Sequence, residues 1–307
     1  MNQTTSYILM VRPARFGFNA ETAASNVFQG KIDIDAVEIQ ERAAVEFDTF
    51  VARLRAHGIH VQVVQDTDEP AKPDAVFPNN WFCTMHDGTL FLFPMFAPNR
   101  RLEKRPEIIA DLQKNFHIKK VEDGSFYEKA NLLLEGTGSI VFDHINRLIF
   151  ACLSPRTDEM LVERFARMVG YRPVIFTAED ENGTLIYHTN VMLHIGVDYA
   201  VVCLESIRSA TERQIVMEKL SLNGKTIVDI TLEQVSQYAG NMLQVNNDTG
   251  KLFTILSAQA FASLSESQKA TIQSRSQLLP MDIPVIETVG GGSARCMMAE
   301  IFFSRKS

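Results

Sequence analysis

The sequence predicts one α/β domain over residues 1–307, a five-bladed pseudo-symmetric α/β propeller of ββαβ repeats closed by pairing of its N- and C-terminal strands. Three features point there. Four apolar hairpins share one design, a helical segment and a third apolar run follow each of them, and a fifth hairpin is split between the two ends of the chain.

The split repeat comes first. YILMVRP (7–13) alternates as a strand should, AVEIQERAAVEFDTFVARLRAHG (36–58) carries apolar residues at helical spacing, and HVQVVQD (60–66) returns to a strand pattern. Its missing hairpin partner is CMMAEIFF (296–303). The intact hairpins are WFCTMHDGTLFLFPM (81–95), SIVFDHINRLIFACL (139–153), VMLHIGVDYAVVCLE (191–205) and MLQVNNDTGKLFTIL (242–256). Their centres, HDG, DHIN, GVD and NNDTG, hold the Gly, Asp and Asn that tight turns favour. RRLEKRPEIIADLQKNF (100–116), DEMLVERFARMVG (158–170), TERQIVMEKLSLNG (211–224) and SESQKATIQSRSQLL (265–279) then read as helices. HIKKV, RPVIF, KTIVDI and IPVIETV read as the third strands, the last covering 283–289.

Composition narrows the function classes. A formal charge of -7, with no basic stripe, excludes a nucleic-acid partner, because phosphate binding needs Lys and Arg gathered on one face. No run of about 18 apolar residues occurs, so no membrane partner is expected, and the N-terminus lacks a leader pattern, which suggests a cytoplasmic location. The four cysteines, Cys83, Cys152, Cys203 and Cys296, lack the paired spacing of metal sites, so no metal is expected.

Each hairpin is preceded by a short polar motif: FPNNW at Asn80, LLLEGTG at Glu135, YHTN at His188, GNML at Asn241 and GGGSARC at Cys296. They are 55, 53, 53 and 55 residues apart. Equivalent positions of a ring point at one axis, so these residues are candidates for one mouth. Cys296 is the candidate nucleophile, since a thiolate wants a positive neighbour and Arg295 adjoins it. The glycines at 290–292 read as room for close approach of a ligand. Cys83, Cys152 and Cys203 lie in apolar strands and read as core. His188, alone among seven histidines at such a junction, suits proton transfer. Glu135 follows an apolar run, where a carboxylate is costly unless paired, and reads as an orienting or cation-holding group. Glu103 and Arg105 read as an exposed helix face, with Arg100 or Arg101 as candidates for a substrate carboxylate.

This order of motifs resembles the guanidino-group modifying enzymes of the pentein fold: arginine deiminases, dimethylarginine hydrolases and amidinotransferases, above all the bacterial amidinotransferase or citrulline-utilisation hydrolase branch. The resemblance covers nearly the whole chain. It implies Cys296 as nucleophile on the guanidine carbon, His188 as proton shuttle and Glu135 as supporting acid, with no cofactor. One departure is chemical. Asn79 and Asn80 stand where an Asp often grips the guanidinium, and Asn190 stands where an Asp often follows the His by two residues. Asn supplies hydrogen bonds without charge, so a neutral ureido group is favoured over a guanidinium. The expected activity is hydrolysis of the C–N bond of a small amino acid, citrulline-like before arginine-like, with Asn79, Asn80, Asn190, Asn241, Arg100 and Arg295 lining the site. Transfer of the amidino group to an amine is the alternative, and a non-catalytic binding propeller a further one. The partner is a small-molecule substrate, and assembly as a homodimer is compatible with this reading.

Overall fold

The computed structural model describes residues 1–306. It contains fifteen strands in five three-stranded sheets, and every sheet repeats one plan. In the first, β1 (Tyr7–Arg12) is central: it pairs in parallel with β2 (His60–Gln65) and antiparallel with the last strand of the chain, β15 (Ala299–Glu300). Ile8 opposes Glu300 and Leu9 opposes Ala299, so the split hairpin exists as expected. The second sheet has the hairpin β3 (Phe82–Thr84) and β4 (Thr89–Leu92), with β5 (Lys120–Asp123) parallel to β4. The third holds β6 (Val141–Asp143), β7 (Leu148–Cys152) and β8 (Arg172–Phe176), and the fourth β9 (Leu193–Ile195), β10 (Tyr199–Val202) and β11 (Thr226–Asp229). The fifth holds β12 (Leu243–Asn246), β13 (Leu252–Ser257) and β14 (Gln277–Met281). The parallel pair in each sheet requires a crossover, which the helices supply.

Local chemistry explains where those helices begin and end. Asp35 caps Ala36–Ala56 by accepting from Val37 and Glu38, and Asp158 caps Glu159–Val169, which stops at Gly170 in the left-handed region. Ser265 and Gln268 form a reciprocal capping box at Glu266–Gln273.

Two expectations need correction. The run 100–116 is two helices, Pro98–Arg101 and Pro106–Asn115. Pro106 has no N–H to continue a helix and keeps Arg105 extended, at φ -81° and ψ 125°. More substantially, IPVIETV is a helix, Pro284–Gly290, and the third strand of that repeat is β14, upstream of it. Pro284 occupies the first turn, where its fixed φ helps, and Val285, Ile286 and Val289 are buried on a helical face despite their β-branched bias towards strands. β14 tolerates Pro280 because it is an edge strand.

The chain falls into two compact units. The three-sheet unit comprises Met1–Thr4, Thr137–Asp282 and Ser293–Arg295, and the two-sheet unit comprises Thr5–Gly136, Ile283–Gly292 and Cys296–Ser307. Within each, the first strands of neighbouring repeats lie side by side: β6, β9 and β12 in one, β15 and β3 in the other. Thr84 stitches the latter pair, donating to the Glu300 carbonyl (2.8 Å) and accepting from the Phe302 N–H (3.0 Å). In the three-sheet unit Gln3 donates to the carbonyls of Phe142 (2.9 Å) and Ile195 (3.3 Å). The two-sheet unit's core contains Leu9, Trp81, Phe82, Leu90, Leu112 and Ile301, all under 3% exposed. No helix among the described residues is long and apolar enough to cross a membrane.

Candidate active site

Within each unit the first strands are neighbours, so the residues that immediately precede them are brought to the same end of that unit's sheets. Asn80, Glu135, His188, Asn241 and Cys296 stand two to six residues ahead of β3, β6, β9, β12 and β15 respectively, and all are buried, none more than 5% exposed.

In the two-sheet unit, Glu135 is fully buried and accepts from the Phe96 N–H at 2.8 Å. The glycine after it is required. Gly136 has φ +46°, and a Cβ there would lie 2.4 Å from the Asn79 carbonyl oxygen and 2.8 Å from that of Asn80. Glu135 is thereby held against the backbone of Asn79 and Asn80. The NNW segment is in turn linked to the loop before Cys296. A Cβ at Gly290 or Gly292 would lie 2.8 Å from the ring of Phe77, and one at Gly291 (φ +65°) would lie 2.6 Å from Asn26 Nδ2. These three glycines therefore serve packing against Phe77 and the 26–29 segment, a simpler cause than approach of a ligand. Cys296 is 5% exposed, and no disulfide joins any of the four cysteines. Burial pushes the thiols of Cys152 and Cys203 up to about 11, which fits them as inert core groups.

Arg100 and Glu103 are not on an exposed face: both are 3% exposed. The break before Pro106 turns Glu103 inward. The Arg100 guanidinium donates from Nε and Nη2 to the two Glu103 oxygens (2.8 and 2.9 Å), from Nη2 to the Phe77 carbonyl (3.2 Å), and from Nη1 to Asn80 Oδ1 (2.7 Å). Asp74 adds a second carboxylate 3.7 Å from its Nε. Burial opposes the Arg100 charge, but Glu103, Asp74 and Glu135 together raise its pKa above the ordinary value. Burial pushes the Glu103 carboxyl up to about 7 even though Arg100 favours its charged form. Arg105 is only partly exposed and pairs with Asp66 at 3.2 Å.

The three-sheet unit holds the others. His188 precedes the one-turn helix Thr189–Met192 and packs against Tyr187, centroids 4.6 Å apart. Its backbone is clamped on both sides: Ser154 donates to the Tyr187 carbonyl (2.8 Å), and Thr189 Oγ1 accepts from the Cys152 N–H (2.8 Å). Asn241 Nδ2 donates to the Asn190 carbonyl (3.1 Å), while its Oδ1 accepts from the Arg295 N–H (3.0 Å). It thus ties the YHTN motif to the residue before Cys296. Beneath lies a neutral chain that sequence reading missed, His194 to Tyr199 (3.1 Å), Tyr199 to Thr254 (2.6 Å) and Thr254 to Ser276 (2.8 Å). Burial, helped by Arg295, pushes His194 down to about 3, so it is neutral. The alternation of β9, β10 and β13 was the available signal: a polar residue on a buried strand face asks for a partner.

The fold has solved relatives. The N-terminal domain of ArgZ holding a covalent reaction intermediate is 17% identical with TM-score 0.74, over 96% of this chain and 97% of that one. AgrE in complex with ornithine and NAD+ is 16% identical with TM-score 0.75, this chain spanning 40% of its length. A cysteine-to-serine variant of DDAH from Pseudomonas aeruginosa, complexed with citrulline, is 15% identical with TM-score 0.66, over 97% and 99%. No curated protein matches by sequence. The family model described as N,N dimethylarginine dimethylhydrolase, eukaryotic, matches residues 12–303, nearly the whole chain. The chain belongs to that family and so to the guanidino-modifying enzymes that its five polar motifs resemble.

Proposed function

We propose that the protein is a C–N hydrolase that acts on a small amino acid through a covalent Cys296 intermediate, with a citrulline-like ureido substrate favoured and an arginine-like one second. Family membership across residues 12–303 is the observation that carries this reading. The Cys296 thiolate adds to the central carbon. His188 protonates the departing nitrogen as the C–N bond breaks, then takes a proton from the water that releases the thiol. Glu135 accepts hydrogen bonds from the substrate nitrogens. Asn241 serves as a bracket for Arg295 and Asn190, its amide donating to the backbone of one and accepting from the backbone of the other. The relatives support the substrate class: one ArgZ structure is described as an arginine dihydrolase bound to substrate, and the Pseudomonas DDAH variant carries citrulline.

The test is turnover of citrulline and of arginine, followed by release of ornithine and ammonia, with Cys296→Ser and His188→Ala beside the wild type. Both variants are expected to lose at least about 10³-fold in kcat while remaining folded. Full activity in Cys296→Ser would end the proposal.

A further inference from the structure

Arginine has no hydrogen-bond acceptor, so the atom of Asn80 that meets Arg100 must be its carbonyl oxygen. The 2.7 Å contact from Arg100 Nη1 to Asn80 Oδ1 therefore settles which way round the amide lies, a choice that is otherwise open for an Asn. Its Nδ2 group is turned the other way. Asn80 is 3% exposed, and Nδ2 meets no acceptor among the described residues, which is costly for a buried donor. Arg100 is itself held by both Glu103 oxygens and by Asp74, so the amide has a rigid partner. Asn80 lies beside the candidate acid: its backbone carbonyl approaches Gly136, the residue after Glu135, and the Glu135 carboxylate is near enough to act on both Arg100 and Glu103.

We infer that Arg100 is a specificity-determining positioning residue: by locking Asn80 with Nδ2 facing the substrate, it makes the site select a ureido carbonyl over a guanidinium. This rests on the hydrolase reading above. A ureido group offers an oxygen lone pair to Nδ2, whereas a guanidinium presents only N–H donors there and leaves the buried Nδ2 unmatched. The same oxygen gains negative charge as the thiolate adds to its carbon, so the hydrogen bond strengthens in the transition state. Arg100 touches no reacting atom. Its charge is absorbed by Glu103 and Asp74, which lets it orient the amide without repelling ligand.

The experiment compares Arg100→Gln, Arg100→Lys and Asn80→Asp with the wild type. Gln both donates and accepts, so it releases the amide to flip; Lys only donates, so it preserves the lock. The citrulline-to-arginine ratio of kcat/KM should fall about tenfold or more in Arg100→Gln and Asn80→Asp, mostly through kcat for citrulline, and stay within about threefold in Arg100→Lys. Equal shifts in the Gln and Lys variants, or an unchanged ratio in Asn80→Asp, would overturn the inference. So would a wild-type preference for arginine. Should Arg100→Gln not fold, the side-chain amide NMR signals of Asn80 in the wild type decide: Nδ2–H signals that shift with citrulline and not with arginine support the inference, and signals that shift alike with both overturn it. Calorimetric binding of citrulline and arginine in the Cys296→Ser background separates the two readings. Absent turnover with the binding preference intact defeats the hydrolase proposal only, while absent citrulline binding defeats this one.

Discussion

The two units solve one problem, placing polar residues in a dry interior, by different means. The two-sheet unit uses charge. Around the Asn79–Asn80 segment it buries Arg100 with Glu103 and Asp74, and nearby Lys72 (1% exposed) lies 3.3 Å from Asp66, which also holds Arg105. The three-sheet unit uses neutral hydrogen bonds beneath its junctions, the His194–Tyr199–Thr254–Ser276 chain and the Asn241 bracket. Its buried ion pair, Lys225 with Asp143 at 3.3 Å, lies at the end of β6 away from the junction. Charged clusters hold geometry rigidly but fail badly when one member is lost, whereas neutral networks lose one hydrogen bond at a time. The segment that bears Asn80 is therefore the more tightly specified of the two, and also the more sensitive.

Acid titration should show the largest contrast. His194 is pushed from 6.5 down to about 3, so the unfolded chain binds a proton that the folded chain refuses, and stability is lost as pH falls from about 6.5 to 3, by roughly 5 kcal/mol at the limit. Glu103 runs the other way. Its carboxyl is pushed from 4.5 up to about 7, so the folded chain holds the proton more tightly and this group's contribution, roughly 3 kcal/mol, is lost as pH rises from about 4.5 through 7. Urea unfolding from pH 4 to 8 should show His194→Gln flattening the acid limb and Glu103→Gln flattening the fall towards neutrality. Identical profiles for both variants would dissolve the comparison.

Substitution at neutral pH should rank the units in the same order. Arg100→Met strands Glu103 and Asp74 and should cost about 3–5 kcal/mol, against about 1–3 kcal/mol for Asn241→Ala, which leaves one buried N–H and one carbonyl without their partner. A larger loss at Asn241 would reverse the ranking. The smallest effect separates two glycines with positive φ. Gly170→Ala, a helix cap in the three-sheet unit with no atom within 4 Å of the new Cβ, should cost about 1 kcal/mol and leave turnover alone. Gly136→Ala meets backbone oxygen at 2.4 Å and should lower turnover as well as Tm, because Asn79 and Asn80 must move. Equal behaviour of the two variants would show that the NNW segment is not tightly held.

Much of this protein was legible from its residues alone. The four hairpins, the junction spacing and the pairing of YILMVRP with the C-terminal strand follow from alternation and turn residues, which act over a few positions and survive into any fold that uses them. Only tertiary structure decided the rest. PVIETV is apolar and β-branched, yet it is a helix, because QLLPM had already taken the edge place beside β13 and burial outweighed intrinsic preference. Glu103 reads as surface until the break before Pro106 turns it towards Arg100. The division into three sheets and two is likewise invisible in a five-fold repeat, since it depends on which repeats pack together and not on what each contains. The orientation of the Asn80 amide is the finest case. The letter N names a donor and an acceptor alike, and only a neighbour that cannot accept, 20 residues away in sequence, determines which of them the site presents.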